Sequence, residues 1–145
     1  MKLVVVDLEN TISDSRHRMW LLGYGVDDAS KKEHYDKFQE EFKYDKLNMN
    51  VKMFIDSLVR KGYTIVILTA KLEKYRVMVT NWLVENDVLF SSLVMKKKEN
   101  ISDLKFKENY IIVNQKLITF ALDDVGSNCA LFGKYNIPCL RIEQK

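Results

Sequence analysis

Asp7, Glu9 and Thr11 stand in the stretch DLENT, directly behind the apolar run KLVVV. Thr69 and, two residues on, Lys71 follow a second such run, YTIVIL. An acidic pair, Asp123–Asp124, ends a third, KLITFAL. If these runs are parallel strands of one sheet, their C-terminal ends share an edge and the polar side chains meet in one crevice. Clustered carboxylates repel, and each resists ionisation unless a cation sits among them. A hard divalent ion with oxygen ligands, Mg²⁺ above all, removes that cost and completes its shell with phosphate oxygens and water.

The elements that must position these groups are legible as alternating patterns. Residues 2–7, 63–69, 116–123 and 137–143, with a weaker run at 92–95, are short, apolar and rich in β-branched side chains. That is the pattern of strands buried on both faces. Helical spacing predicts helices over 51–61, 73–86, 103–114 and 125–136. Met53, Phe54, Ile55 and Leu58 form the expected apolar face of the first, and Gly62 its stop. Val77, Met78, Trp82 and Leu83 mark the second. Strands alternating with helices predict an α/β fold, a doubly wound, Rossmann-like parallel sheet flanked by helices. Residues 12–50 depart from the alternation. They are polar and aromatic, with one helix expected near 30–42, capped by Ser30 or Asp28. Such an insertion after the first strand would lie over the carboxyl edge of the sheet, where open α/β sheets bind ligands.

At 145 residues the chain is expected to form a single domain, 1–145, with residues 12–50 as a small cap-like insertion. With 47% hydrophobic and 30% charged residues it does not have a disordered composition. A net charge of +3 is too small for a dedicated nucleic-acid binder, although the lysines at 96–98, 105 and 107 allow a local basic rim. Two cysteines, Cys129 and Cys139, make no disulfide framework or zinc motif and are read as reduced, packed side chains. No run approaches the roughly 18 apolar residues of a membrane span, and no leader is visible, so the expected location is the cytoplasm.

Four motifs in order resemble the haloacid dehalogenase (HAD) superfamily of phosphohydrolases. They are D-L-E-N-T at 7–11, a strand ending in Thr69, a lysine ahead of the last motif, and FALDD ending at 123–124. The likeness covers nearly the whole chain. A finer one is to the phosphatase part of phage polynucleotide kinase and related small phage phosphatases. Arg18, eleven residues after Asp7, fits that pattern. So do Thr69-Ala70-Lys71, the LVMKKKENISD segment, and Asp103 with Lys107 four residues on.

This resemblance implies a phosphomonoesterase acting through an aspartyl phosphate on a nucleotide or a polynucleotide 3′-phosphate. Asp7 would be the nucleophile and Glu9 the general acid and base. Thr69 and Lys107 would hold the transferring oxygens. Mg²⁺ would be bound by Asp7, the backbone carbonyl of Glu9, Asp123 and Asp124. Arg18 and Lys71 would contact substrate, and Asp103 would orient Lys107 from one turn away. The sequence departs from the family at Glu9, where phosphatases carry Asp, at Asn10, which tolerates a left-handed backbone, and at Lys71 in place of an arginine fork.

Plainer readings stand beside these. Asp7 and Thr69 could be caps, Glu9 a solvated side chain, and Lys96–Lys98 a solvated face. Arg18 could pair with an acid of the insertion. His17 could be structural or edge a substrate, and Asn128 could orient the acidic pair or cap a turn. Trp20, Tyr24 and Tyr35 could stack on a base or pack the inserted helix. Two other functions compete. A module that kept the fold and lost turnover is favoured by Glu9. A two-component receiver is disfavoured because its acidic pair follows the first strand. No G-x-x-x-x-G-K-[ST] loop is present for a kinase activity.

Overall fold

The computed structural model describes residues 2–23 and 27–144. Its central sheet has five parallel strands: β1 (Leu3–Val6), β4 (Thr64–Leu72), β5 (Ser92–Lys96), β6 (Ile118–Asp123) and β7 (Cys139–Arg141). They lie in the order β5-β4-β1-β6-β7. The α/β, Rossmann-like architecture read from the sequence is therefore the observed one. Strand order reverses on either side of β1, and ligands of such sheets bind outside the strand ends at that switch point.

Alternation along β1 feeds both faces of the sheet. Val4 and Val6 join Ile55, Leu58, Ile65, Ile67, Trp82 and Leu83 beneath α2 (Met49–Arg60) and α3 (Arg76–Glu85). Leu3 and Val5 join Val66, Leu68, Ile111, Leu131 and Phe132 on the other face, under α4 (Asp103–Asn114) and α5 (Gly126–Lys134). Double coverage explains why the strand runs lack polar alternation.

Several sequence expectations shift by a residue or a face. The α2 stripe is Val51, Ile55 and Leu58, at spacings of four and three, while Met53 is 61% exposed. Phe54 sits at the edge of the helix contact, its ring 6.4 Å from that of Phe120. In α3 the buried residues are Val79, Trp82 and Leu83, and Val77 faces out. Gly62 ends α2 as expected, at φ +89. β4 does not stop at Thr69. It continues to Leu72 through an irregularity in its pairing with β5 between Thr69 and Leu72. Such an irregularity can re-aim side chains, and Lys71, within it, is buried. Cys129 and Cys139 are free thiols, half-buried on α5 and β7.

Between β1 and α2 the chain makes a closed excursion over the carboxyl edge. A two-residue antiparallel ladder, β2 (Ser13–Asp14) with β3 (Lys46–Leu47), pins its ends together. A 3₁₀ turn (Arg16–Gly23), α1 (Asp28–Glu40) and a second 3₁₀ turn (Glu41–Tyr44) fill it. The cap of α1 is Asp27, not Ser30 or Asp28. Its carboxylate accepts the Ser30 amide at 2.8 Å and Ser30 returns the bond. Phe42 anchors the excursion. It is fully buried, its ring centroid 5.3 Å from that of Trp82. Among the described residues no helix is long and apolar enough to cross a membrane. Tyr24 lies outside the described residues.

Phe42→Ala is expected to cost about 3–5 kcal/mol, the usual loss for a buried aromatic. Urea unfolding would measure it. A change below about 1 kcal/mol would show that the excursion is not packed through this ring.

Candidate active site

The turn after β1 builds the first wall of the site. The amides of Thr11, Ile12 and Ser13 all donate to the Leu8 carbonyl, at 3.3, 2.9 and 3.1 Å. A turn this tight requires a left-handed residue, and Asn10 supplies it at φ 64, as its residue type allows. The Asn10 side chain then accepts from the Ser15 amide and hydroxyl, at 3.2 and 2.6 Å. The result places Asp7, Glu9 and Thr11 side by side. Thr11 donates to Asp7 Oδ2 at 3.2 Å and lies 3.5 Å from Asp124 Oδ1.

From the next strand, β6 delivers Asp123 and Asp124. Asp7, Asp123 and Asp124 each present an oxygen within 4.8 Å of the others. Lys107, buried on the first turns of α4, reaches between them. Its ammonium is 2.8 Å from Asp7 Oδ1 and 2.8 Å from Asp123 Oδ2. Asp123 is fixed further by the Val125 amide at 3.0 Å and by Asn128 Nδ2 at 3.2 and 3.1 Å. Asn128 thus holds the first acid of the pair.

Electrostatics follow from the crowding. Burial pushes the Asp7 carboxyl well above its ordinary range, and the Asp123 charge adds to this against the pull of Lys107. Burial raises Asp124 as well, with Asp123 again adding. Lys107 is held charged, because the two carboxylates outweigh its own desolvation. Three carboxylates against one ammonium carry a formal charge of minus two, which a divalent cation would balance. The all-oxygen donor set suits Mg²⁺ rather than a softer metal.

The second wall comes from β4 and the excursion. Thr69 lies in a strand, not at a helix start. Its hydroxyl accepts the Lys71 amide at 3.1 Å. Lys71 is buried, and its ammonium donates to the Gln39 backbone carbonyl at 2.8 Å and stands 4.0 Å from Glu9 Oε1. Burial pushes it down to about 8, against the pull of Glu9. A cavity of about 200 Å³ is lined by Asp7, Glu9, Tyr35, Thr69, Lys71, Lys107, Asp124 and their neighbours. A larger groove of about 620 Å³ between the start of α2 and the end of β7 carries none of the clustered carboxylates.

Two expected roles change. Asp103 does not orient Lys107. It lines the rim of the cavity and pairs with Lys96 at 2.8 Å, and Lys96, expected on a solvated face, is buried. One turn of helix aligns Asp103 with Lys107 in projection, but Lys107 points down to the strand ends while Asp103 sits at the rim. Arg18 does not face the cavity. Its side chain is fully buried and binds Asp45 through Nε and Nη2, both at 2.8 Å, and Glu9 through Nη2 at 2.6 Å. It thus pairs with an acid of the excursion, the plainer of its two readings. His17 also binds Asp45, at 2.8 Å, and is structural. Asp45 and Gln39 were missed in the sequence. Each is one polar residue among many in that segment, and nothing in their spacing marks them. Tyr35, on α1, is half exposed and lines the cavity.

No protein-family model and no curated protein matches the chain. Solved structures do. A chain of the Pnkp1/Rnl/Hen1 RNA repair complex superposes with a TM-score of 0.75 at 20% identity, over 97% of this chain and 42% of that one. This chain thus spans under half the length of that protein. A hydrolase of the haloacid dehalogenase-like family from Streptococcus pneumoniae gives 0.68 at 11% identity, over 97% and 84%. A HAD family enzyme from Bacteroides thetaiotaomicron, solved with magnesium and inorganic phosphate, gives 0.58 at 12% identity, over 99% and 94%. The fold is HAD-like.

Lys71 gives the site a pH signature in stability. The unfolded chain holds this proton up to about 10.5, the folded one up to about 8. Between those values the unfolded state binds more protons, so stability rises with pH, and below about 8 the cost of burying the charge is present in full. Lys71→Met is expected to flatten the rise. Urea midpoints from about pH 7 to 11 check this, and identical curves for both proteins would contradict it.

Proposed function

We propose that this HAD-like fold is a Mg²⁺-dependent phosphomonoesterase acting on the phosphorylated end of a nucleotide or polynucleotide. The observation that carries the reading is the convergence of Asp7, Thr69, Lys107, Asp123 and Asp124 on one crevice at the switch point of the sheet.

In the proposed reaction an Asp7 carboxylate oxygen attacks phosphorus. The bond from phosphorus to the leaving alkoxide breaks as Glu9 gives that oxygen its proton. Glu9 then takes a proton from a water whose oxygen attacks the aspartyl phosphate. The phosphorus–Asp7 bond breaks, inorganic phosphate leaves, and both carboxyl groups return to their starting states. Thr69 and Lys107 hold the phosphoryl oxygens, and Thr11 and Lys107 keep the Asp7 carboxylate aimed. Asp7, Asp123, Asp124 and the Glu9 carbonyl would hold Mg²⁺, whose charge would offset the repulsion between the anionic phosphoryl group and the Asp7 carboxylate. Residues 12–50 would serve as a small cap that leaves the crevice open on one side.

A nucleotide end is favoured by what adjoins the crevice. Tyr35, Gln39, Ala70 and Lys71 line both it and a second cavity of about 240 Å³, whose walls include Lys32, Tyr75 and Lys96. Aromatic faces with lysines beside a phosphate site suit a base and its backbone. The likeness to a chain of an RNA repair complex agrees with this.

Phosphate release from p-nitrophenyl phosphate, nucleoside 3′- and 5′-monophosphates and 3′-phosphorylated oligonucleotides tests the reading. Release should need Mg²⁺, stop with EDTA, and fall by at least about 1,000-fold in Asp7→Asn. No release from any substrate would leave a phosphate-binding module. Tyr35→Ala should raise KM for oligonucleotide 3′-phosphates by about tenfold, more than for p-nitrophenyl phosphate, in line with the loss of one stacked base. Equal effects on the two substrates would remove the base from that side cavity.

A further inference from the structure

We propose that Arg18 and Asp45 form a positioning device that fits this chain to glutamate, not aspartate, at position 9. The inference rests on Glu9 acting as acid and base in the proposed reaction, and it concerns how that carboxylate is aimed.

The anchor is fixed in every direction. Arg18 spends Nε and Nη2 on Asp45, Nη1 on the Phe38 carbonyl at 2.9 Å, and Nη2 also on Glu9 Oε2 at 2.6 Å. Its guanidinium lies 4.3 Å from the Phe38 ring centroid. Asp45 is held in turn by the Ser13 hydroxyl at 3.0 Å, by His17 at 2.8 Å, and through its carbonyl by Trp82 Nε1 at 2.9 Å. Both side chains are wholly buried. Moving either would strand a buried charge without its partner, which is strongly unfavourable. The guanidinium is therefore a fixed post, and the arm at position 9 must reach it.

Glutamate reaches with one oxygen and presents the other. Oε2 is tied to Arg18, while Oε1 lines the crevice 4.0 Å from Lys71. An aspartate is shorter by one carbon–carbon bond, ~1.5 Å. Added to 2.6 Å, that gap exceeds hydrogen-bond range. The residue that is usual elsewhere in the family would here hang free of its anchor. The extra methylene at position 9 and the buried pair beneath it form one adaptation.

Steady-state kinetics with p-nitrophenyl phosphate and Mg²⁺ on Glu9→Asp, Asp45→Asn and their double variant test this. Each single change should lower kcat by about 10- to 100-fold with KM nearly constant, the scale of a misaimed group. The double variant should be no more than about threefold below the worse single one, because Asp45 acts through the arm already shortened. Glu9→Asp at or above wild-type kcat overturns the proposal. So does an Asp45→Asn loss that is the same in both backgrounds, the mark of a merely structural role. If Asp45→Asn does not fold, Arg18→Lys replaces it in the cycle, since lysine keeps the charge and loses the two-armed contact. Thermal midpoints of the metal-free proteins give a readout without turnover. The two changes should be non-additive there, and additivity overturns the proposal. Inactive wild-type protein would refute the phosphatase reading instead, and the midpoint cycle would then decide the positioning claim alone.

Discussion

Like charges crowded into a half-dry crevice set the terms for everything around them. Asp7, Asp123 and Asp124 approach within 4.8 Å, and water cannot screen them as it would at the surface. Lys107 answers part of the repulsion from α4, and Asn128 and the Val125 amide hold Asp123 by hydrogen bonds. The residual negative charge suits the same place to a cation. Strand ends, the start of α4 and the turn into α5 are all placed to serve that cluster.

A second buried charge system lies one layer out. Arg18 and Asp45 come from opposite ends of the excursion over the sheet, and Glu9 from the turn beneath it. The ion pair thus ties the excursion to the site, as Phe42 ties it to the core. Buried ion pairs are weak evidence for stability, since desolvation offsets much of their attraction. Their geometric effect is what matters here, because they leave few ways to arrange the groups they join.

The sheet and its edge groups were legible because they rest on local signals. Apolar runs of strand length, each ending in a polar residue, declared both the elements and the residues at their tips, and three such ends with a lysine ahead of the last pointed to the HAD-like fold. Helix positions were also readable, but their buried faces were not fully so. Met53 and Val77 are apolar yet exposed, because a single helix turn offers more apolar residues than the sheet covers. The excursion was the least readable part. Its polar composition hid Asp45 and Gln39, whose importance comes from partners far along the chain. Asp103 misled for a related reason. Helical spacing tells which residues share a side, not which of them points into a crevice at the helix start.

The burial of Arg18 bears on how molecules come and go. Lifting the excursion away from the sheet edge would expose a guanidinium paired on every arm and uncover the Phe42–Trp82 contact. A swinging door is therefore an expensive way in. The crevice meets solvent where Tyr35 stands half exposed, so a ligand would pass a standing doorway beside that ring and not a domain that opens and shuts.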